Sequence, residues 1–225
     1  MAAEVPVGSR ELGRQLGLDR SVANRMLLTL AGLGMLERTE EGRYLPGVGI
    51  HALAALSLRS SGLLHANLPL AVAWTRRGFT FTLGVLWRHH LCHLIHARPG
   101  QPPEQAVGGL APGDPFLSAA GLVLLAHAPA AVVRAALAVR PGEDVARRAR
   151  LAGVRSAGRG VNRFADGTVA VGVAVGKPVR AAVAVSRAGL APADEPRLAA
   201  ELSRQVAELS ASGSVALRGG RGTAR

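Results

Sequence analysis

Two short helical patterns joined at Gly17 and followed by a glycine-turned hairpin fill Ser9 to Pro46, and few folds accommodate that order. Leu12 and Leu16 stand four apart and share one helix face, with Ser9 as the candidate N-cap. Gly17 supplies a tight turn and Asp19 the next cap. Ala23, Met26, Leu27, Leu30 and Leu33 then form one apolar stripe, so a second helix is expected from Arg20 to Leu33, closed by Gly34. Two extended runs flank Glu40-Glu41-Gly42 and read as a hairpin ending near Pro46. Helix, glycine turn, helix and hairpin together make a winged helix-turn-helix.

That arrangement assigns chemistry to particular side chains. Ala23, Leu27 and Leu30 are expected to pack on Leu12 and Leu16, which turns Arg20, Ser21, Asn24 and Arg25 outward. In the major groove Arg pairs with guanine, Asn with adenine, and Ser serves bases or phosphate. Val22, on the same turn, is placed to touch a thymine methyl. Arg38 and Arg43 on the hairpin are expected to reach phosphate or the minor groove. A helical scaffold with a merely polar outer face is the bland alternative.

Composition narrows the rest. The chain has 225 residues, 48% of them apolar but only 3% aromatic, so its core must be built from Ala, Val and Leu. The single cysteine, Cys92, excludes a disulfide framework and a cysteine-rich zinc finger. No apolar run reaches the ~18 residues of a membrane span; Phe116 to Val139 is interrupted by His127, Pro129 and Arg134. Met1 to Arg10 lacks the apolar stretch of a secretory signal, and a cytoplasmic setting without membrane attachment is expected. The net charge of +12 lies outside the reader: residues 1–50 carry six arginines against six acids. Lys177 is the only lysine among 27 basic residues.

Residues 51–77 read as a linker-helix region, with a break at Ser60-Ser61-Gly62. Thr80–Leu86 and His90–His96 look like paired strands, and Arg98 to Pro115 like loop. Apolar helices follow at Ala119–Ala128 and Ala130–Val139, then a basic one from Asp144 to Gly153. Val169–Val175 and Val179–Val185 alternate like a final hairpin, ahead of a closing helix from Pro196 to Ser210. The tail, residues 213–225, is basic and expected to be disordered.

Some constellations carry less. His89, His90, Cys92, His93 and His96 offer zinc or copper ligand types. On a regular strand Cys92 and His96 share one face and His93 takes the other, so only two ligands converge and no metal site is expected. Cys92 lacks an apparent oxyanion loop or orienting acid for a nucleophile's role. Gly158-Arg159-Gly160 and Gly176-Lys177 do not sit between strand and helix as a phosphate loop requires. Arg147-Arg148-Ala149-Arg150 reads as a solvated helix face.

The segment Ser9 to Leu30, with Leu33-Gly-Met-Leu-Glu-Arg38 and Gly42-Arg-Tyr-Leu-Pro-Gly47, resembles the IclR family of bacterial transcription regulators. Asp114 to Ala126 is similar to that family's short helix opened by small-x-Gly, and Gly167 to Val175 with Ala181 to Ser186 to its late hairpin. The resemblance spans about residues 8–212. It implies an α+β chain: a winged helix-turn-helix at 1–50, a linker helix at 51–77, and a GAF-like α/β effector domain with a mainly antiparallel sheet at 78–212.

It also implies an effector pocket around Ser118, Ala120, Gly121, Ala170 and Gly172, where amide groups opening the Ala119 helix can hold a carboxylate. The departures are Val22 where the family often has Thr, Leu122 for Lys, Ala170 for Cys and Ala174 for Pro. Asp166 only adjoins the place of an expected acid. Only eight residues precede the Ser9 helix, where the family has a further helix, so a shortened N-terminus is expected.

The function expected is DNA-binding regulation rather than catalysis. A homodimer or tetramer reads a palindromic operator on double-stranded DNA, senses a small organic acid, and needs no cofactor. The alternatives are a pseudo-sensor that binds a partner and has lost specific DNA binding, and a small metal-dependent enzyme built on the His89–His96 cluster.

Overall fold

The computed structural model describes residues 5–102, 105–108, 110–139 and 142–211, in two compact units, 1–60 and 61–225. The basic tail lies outside the described residues.

In the first unit, α1 spans Ser9–Leu16 and α2 spans Arg20–Gly32. Gly8, rather than Ser9, takes the N-cap position of α1, and Gly17 ends the helix at φ 65°. Asp19 caps α2 by accepting from the Ser21 amide at 2.7 Å, and the Ser21 hydroxyl together with that amide holds its carboxyl below the usual range. The two helices cross closely at Gly13, where a Cβ would stand 2.8 Å from the Leu18 carbonyl oxygen. Strands β1 (Leu36–Arg38) and β2 (Tyr44–Pro46) form the antiparallel hairpin, and Val7 bridges to Tyr44.

The inward stripe is narrower than its spacing suggests. Ala23 and Leu27 are buried, but Leu16, Met26, Leu30 and Leu33 are 41–65% exposed. One short helix covers only one side of α2, so the flanking members of the stripe face out. The next helix, α3 (Val48–Ser61), buries none of its residues.

The second unit begins with α4 (Leu63–Arg76), which follows a left-handed Gly62. From the sequence, residues 51–77 are expected to form a linker. Instead α4 packs on the sheet through Leu63, Ala71 and Trp74, because its apolar residues recur at helical spacing. The sheet has five antiparallel strands in the order β4-β3-β7-β6-β5. They are β3 (Thr80–Trp87), β4 (His90–Ala97), β5 (Gly160–Arg163), β6 (Thr168–Val175) and β7 (Ala181–Ala188). The short edge strand β5 is not expected from the sequence, because four residues opened by glycine give little periodic signal.

Helix α8 (Glu195–Ala211) joins α4 on one face of the sheet, where Val171, Val173 and Val183 meet Leu198, Leu202 and Val206. The other face carries α5 (Ala119–Ala126), α6 (Ala130–Ala138) and α7 (Asp144–Ala157). There the strands present Ala170, Ala182, Ala184 and Gly172, so α5 lies close. A Cβ on Gly172 would come 3.0 Å from the Ala119 carbonyl group.

Candidate nucleic-acid interface and ligand cavity

On α2, Arg20, Ser21, Asn24 and Arg25 are all exposed, and Val22 is half-buried. Ala23 and Leu27 of the same helix are 0% and 4% exposed. Ala23 and Leu27 thus anchor the helix, and Arg20, Ser21, Asn24 and Arg25 leave donors and acceptors exposed around its first two turns. Arg38 is exposed on β1.

Arg43 is engaged within its own domain. Its Nε donates to the Pro6 carbonyl at 2.7 Å, and its Nη2 reaches the same oxygen and Glu11 Oε2, the latter at 3.1 Å. It ties the segment before α1 to the hairpin, alongside the Val7–Tyr44 bridge. Two further arginines border the groove between α1 and the hairpin: Arg10 and Arg14, both exposed and one helical turn apart on α1. Their four-residue spacing is plain in the sequence, but they lie on α1 rather than on the expected recognition helix α2.

In the second unit a cavity of about 290 Å³ opens between the sheet and the turn that leads into α5. Its polar lining comprises Thr82, His93, His96, Asp114, Ser118 and Ser186; Phe164, Leu91 and Ala170 supply apolar wall. Of the five residues implied by resemblance, Ser118 and Ala170 lie in this wall. Ala120, Gly121 and Gly172 are packed elsewhere. Ala120 is fully buried, and a Cβ on Gly121 would sit 2.2 Å from the Pro115 carbonyl oxygen. These small residues let the turn, helix and sheet approach one another; they do not face the cavity.

A β-bulge decides which histidines line the wall. Leu83 pairs with Ile95, but Gly84 pairs with His93, so Leu94 is an extra residue on β4. The alternation slips by one, and His93 and His96 come to the same face with ring centroids 5.9 Å apart. This corrects the expectation that Cys92 and His96 share a face. Among the described residues, no group of three or more His, Cys, Asp or Glu could hold a metal ion. Burial pushes the Cys92 thiol up, opposite to what a nucleophile needs.

The two imidazoles differ in their partners. His96 Nδ1 pairs with Thr82 Oγ1 at 3.2 Å, and its Nε2 accepts from Arg98 Nε at 3.4 Å. Burial, with help from His93 and Arg98, pushes its pKa down to about 4. His93 is also held below its ordinary value by burial, and its buried Nδ1 has no hydrogen-bond partner among the described residues.

Helix α7 holds the turn that forms the cavity lip, so the expectation of a solvated Arg147–Arg150 face fails for Arg147, while Arg148 and Arg150 are exposed. Arg147 is 6% exposed, stacks on Phe116 at 4.4 Å, pairs with Glu143 at 2.9 Å and lies 3.8 Å from Asp114 Oδ2. Arg150 donates to the carbonyls of Phe116 and Val161 and to Asn162 Oδ1. Asn162 in turn donates to the Leu117 carbonyl at 2.9 Å. Charge runs read on a helical wheel look solvated; only the fold shows that Arg147 is buried against Phe116 and that Arg150 reaches carbonyl groups.

Comparison with known proteins matches this organisation. Residues 1–40 match the family model of the IclR helix-turn-helix domain. No curated protein matches the chain. Among solved structures, an IclR homolog from Microbacterium hydrocarbonoxydans complexed with 4-hydroxybenzoate is 22% identical, with TM-score 0.61 and 94% of each chain covered. An IclR-family transcriptional regulator from Brucella abortus is 18% identical with TM-score 0.72, covering 94% of this chain and 87% of its own. The Agrobacterium tumefaciens repressor BlcR is 22% identical with TM-score 0.57, covering 96% and 92%.

Proposed function

We propose, for a chain with an IclR helix-turn-helix domain at residues 1–40 and the fold of IclR regulators, that it is a DNA-binding transcription regulator governed by a small organic acid. The observation that carries this reading is the exposed polar opening of α2. Four groups able to read base edges stand exposed on its first two turns, while Ala23 and Leu27 of the same helix are buried. Arg20, Ser21, Asn24 and Arg25 lie in the major groove with Val22 against a methyl group. Arg38 contacts the backbone at the wing, and Arg10 and Arg14 hold phosphates beside α1. Arg43 positions the wing rather than touching DNA.

A reader with balanced charge neutralises few phosphates, so one copy binds weakly. Two copies on a palindrome supply the affinity, with half-sites about one helical turn apart. The protein acts in the cytoplasm, as a dimer or tetramer. The cavity around Ser118 and Ala170 holds the acid, which shifts the population between two spacings of the readers. The bound 4-hydroxybenzoate of the Microbacterium hydrocarbonoxydans homolog supports an aromatic acid of that size as a probe.

The test is a gel shift at low salt with the DNA upstream of the protein's own gene. A retarded band that changes with added 4-hydroxybenzoate is expected. A folded oligomer that shifts no DNA would overturn the reading in favour of a partner-binding pseudo-sensor.

A further inference from the structure

The wall of the cavity poses an electrostatic problem that depends on the acid-binding reading given above. Among the described residues neither Lys nor Arg lines it, while Asp114 contributes an acid. Asp114 is held by the Phe116 amide at 2.9 Å and lies 3.8 Å from Arg147, whose charge is already shared with Glu143. The amide groups opening α5 beside Ser118 offer a partial positive charge of about one half. A carboxylate entering this wall therefore meets less than one compensating charge, and burying an uncompensated carboxylate is costly.

We propose that the acid enters together with a proton taken up by His93, which makes His93 the effector's ionic partner. The charged and titratable groups around it decide between the two histidines. On β4, His96 is committed as a neutral ring between Thr82 on β3 and Arg98, because Nε2 must stay unprotonated to accept from the guanidinium. A second proton there would face Arg98 directly. On the α5 side the nearby groups are Asp114, with Arg147 of α7 behind it, and uncharged Ser118; β7 contributes Ser186. Of these groups, His93 alone combines a place in the wall with a buried ring nitrogen that lacks a partner among the described residues.

Before the acid arrives, burial keeps His93 neutral at pH 7. A carboxylate beside it favours the imidazolium and raises its pKa. Binding then removes a proton from solution. Affinity falls as pH rises from the unliganded pKa through the liganded one, by up to about tenfold per pH unit.

Calorimetry tests this on the full chain. 4-Hydroxybenzoate and benzoate are titrated at pH 7 in phosphate and in Tris, whose ionisation heats differ. The expected result is a buffer-dependent enthalpy that corresponds to uptake approaching one proton per site, with tighter binding at pH 6 than at pH 8. 4-Hydroxybenzamide, with the same ring and no charge, binds without buffer dependence. His93→Gln loses the proton uptake, and His96→Gln keeps it. Acid binding with no proton uptake in the unmodified protein overturns the inference and leaves the cavity assignment standing. Failure of both acids to bind at every pH overturns both.

Discussion

His93 and His96 are three residues apart on one strand, yet their rings lie 5.9 Å from each other on the same wall of a cavity. A regular strand would send them to opposite faces. The extra residue Leu94 slips the register and brings them together. One of them is locked neutral by Thr82 and Arg98, and the other is left with a nitrogen in the wall.

The neutral His96 gives stability a dependence on pH. Its folded-state pKa of about 4 lies below the ordinary value near 6.5. Protonation therefore favours the unfolded chain, and the contribution is complete above about pH 6.5 and lost as pH falls toward 4. Melting temperature followed across pH 4 to 8 is expected to drop on the acid side. His96→Gln is expected to flatten that drop.

Arg25→Ala is expected to leave melting unchanged, since the side chain is exposed. It should cost about 1–3 kcal/mol of specific DNA binding and relax preference at one base. Binding to a panel of single-base operator variants reads this out. Unchanged preference at every position would show that the helix lies in a different orientation.

Arg43 and Arg38 are expected to part company. Arg43→Ala removes the bonds to Pro6 and Glu11, and because that pair is partly exposed the loss should be only about 1 kcal/mol of stability. Arg38→Ala should leave stability alone and weaken binding to all DNA sequences. Denaturant melts and binding curves on both variants separate the two roles.

Gly121→Ala places a methyl group 2.2 Å from the Pro115 carbonyl oxygen. The backbone must give, at a cost of about 1–3 kcal/mol. Because that backbone forms the turn at the cavity lip, acid binding should weaken along with stability. Arg150→Ala attacks the same turn from α7, through Phe116 and Asn162, and should cost about 1–2 kcal/mol with its ligands partly exposed. Melting curves taken with and without 4-hydroxybenzoate check both.

The exposure of Arg20, Ser21, Asn24 and Arg25 is legible in the sequence because polar side chains crowd the opening turns of a helix capped at Asp19. The paired strands β3 and β4 and the late hairpin of β6 and β7 are legible from alternation. What escapes is whatever depends on the third dimension. The bulge at Leu94 inserts one residue without changing composition, so the histidine wall cannot be read from period two. Gly121 and Gly172 look like pocket floor in a motif but are spacers where backbones meet. Arg147 looks like surface charge until the Asp114 carboxylate and the Phe116 ring come to it, and Arg150, still exposed, reaches the Phe116 carbonyl of the same turn.

The most direct test of the account is fluorescence anisotropy with an operator duplex from upstream of the gene. The unmodified chain is compared with one in which Arg20, Ser21, Asn24 and Arg25 are all alanine. The variant is expected to keep its helicity and melting temperature but to bind the operator no better than unrelated DNA. Undiminished operator preference in that variant would contradict the account.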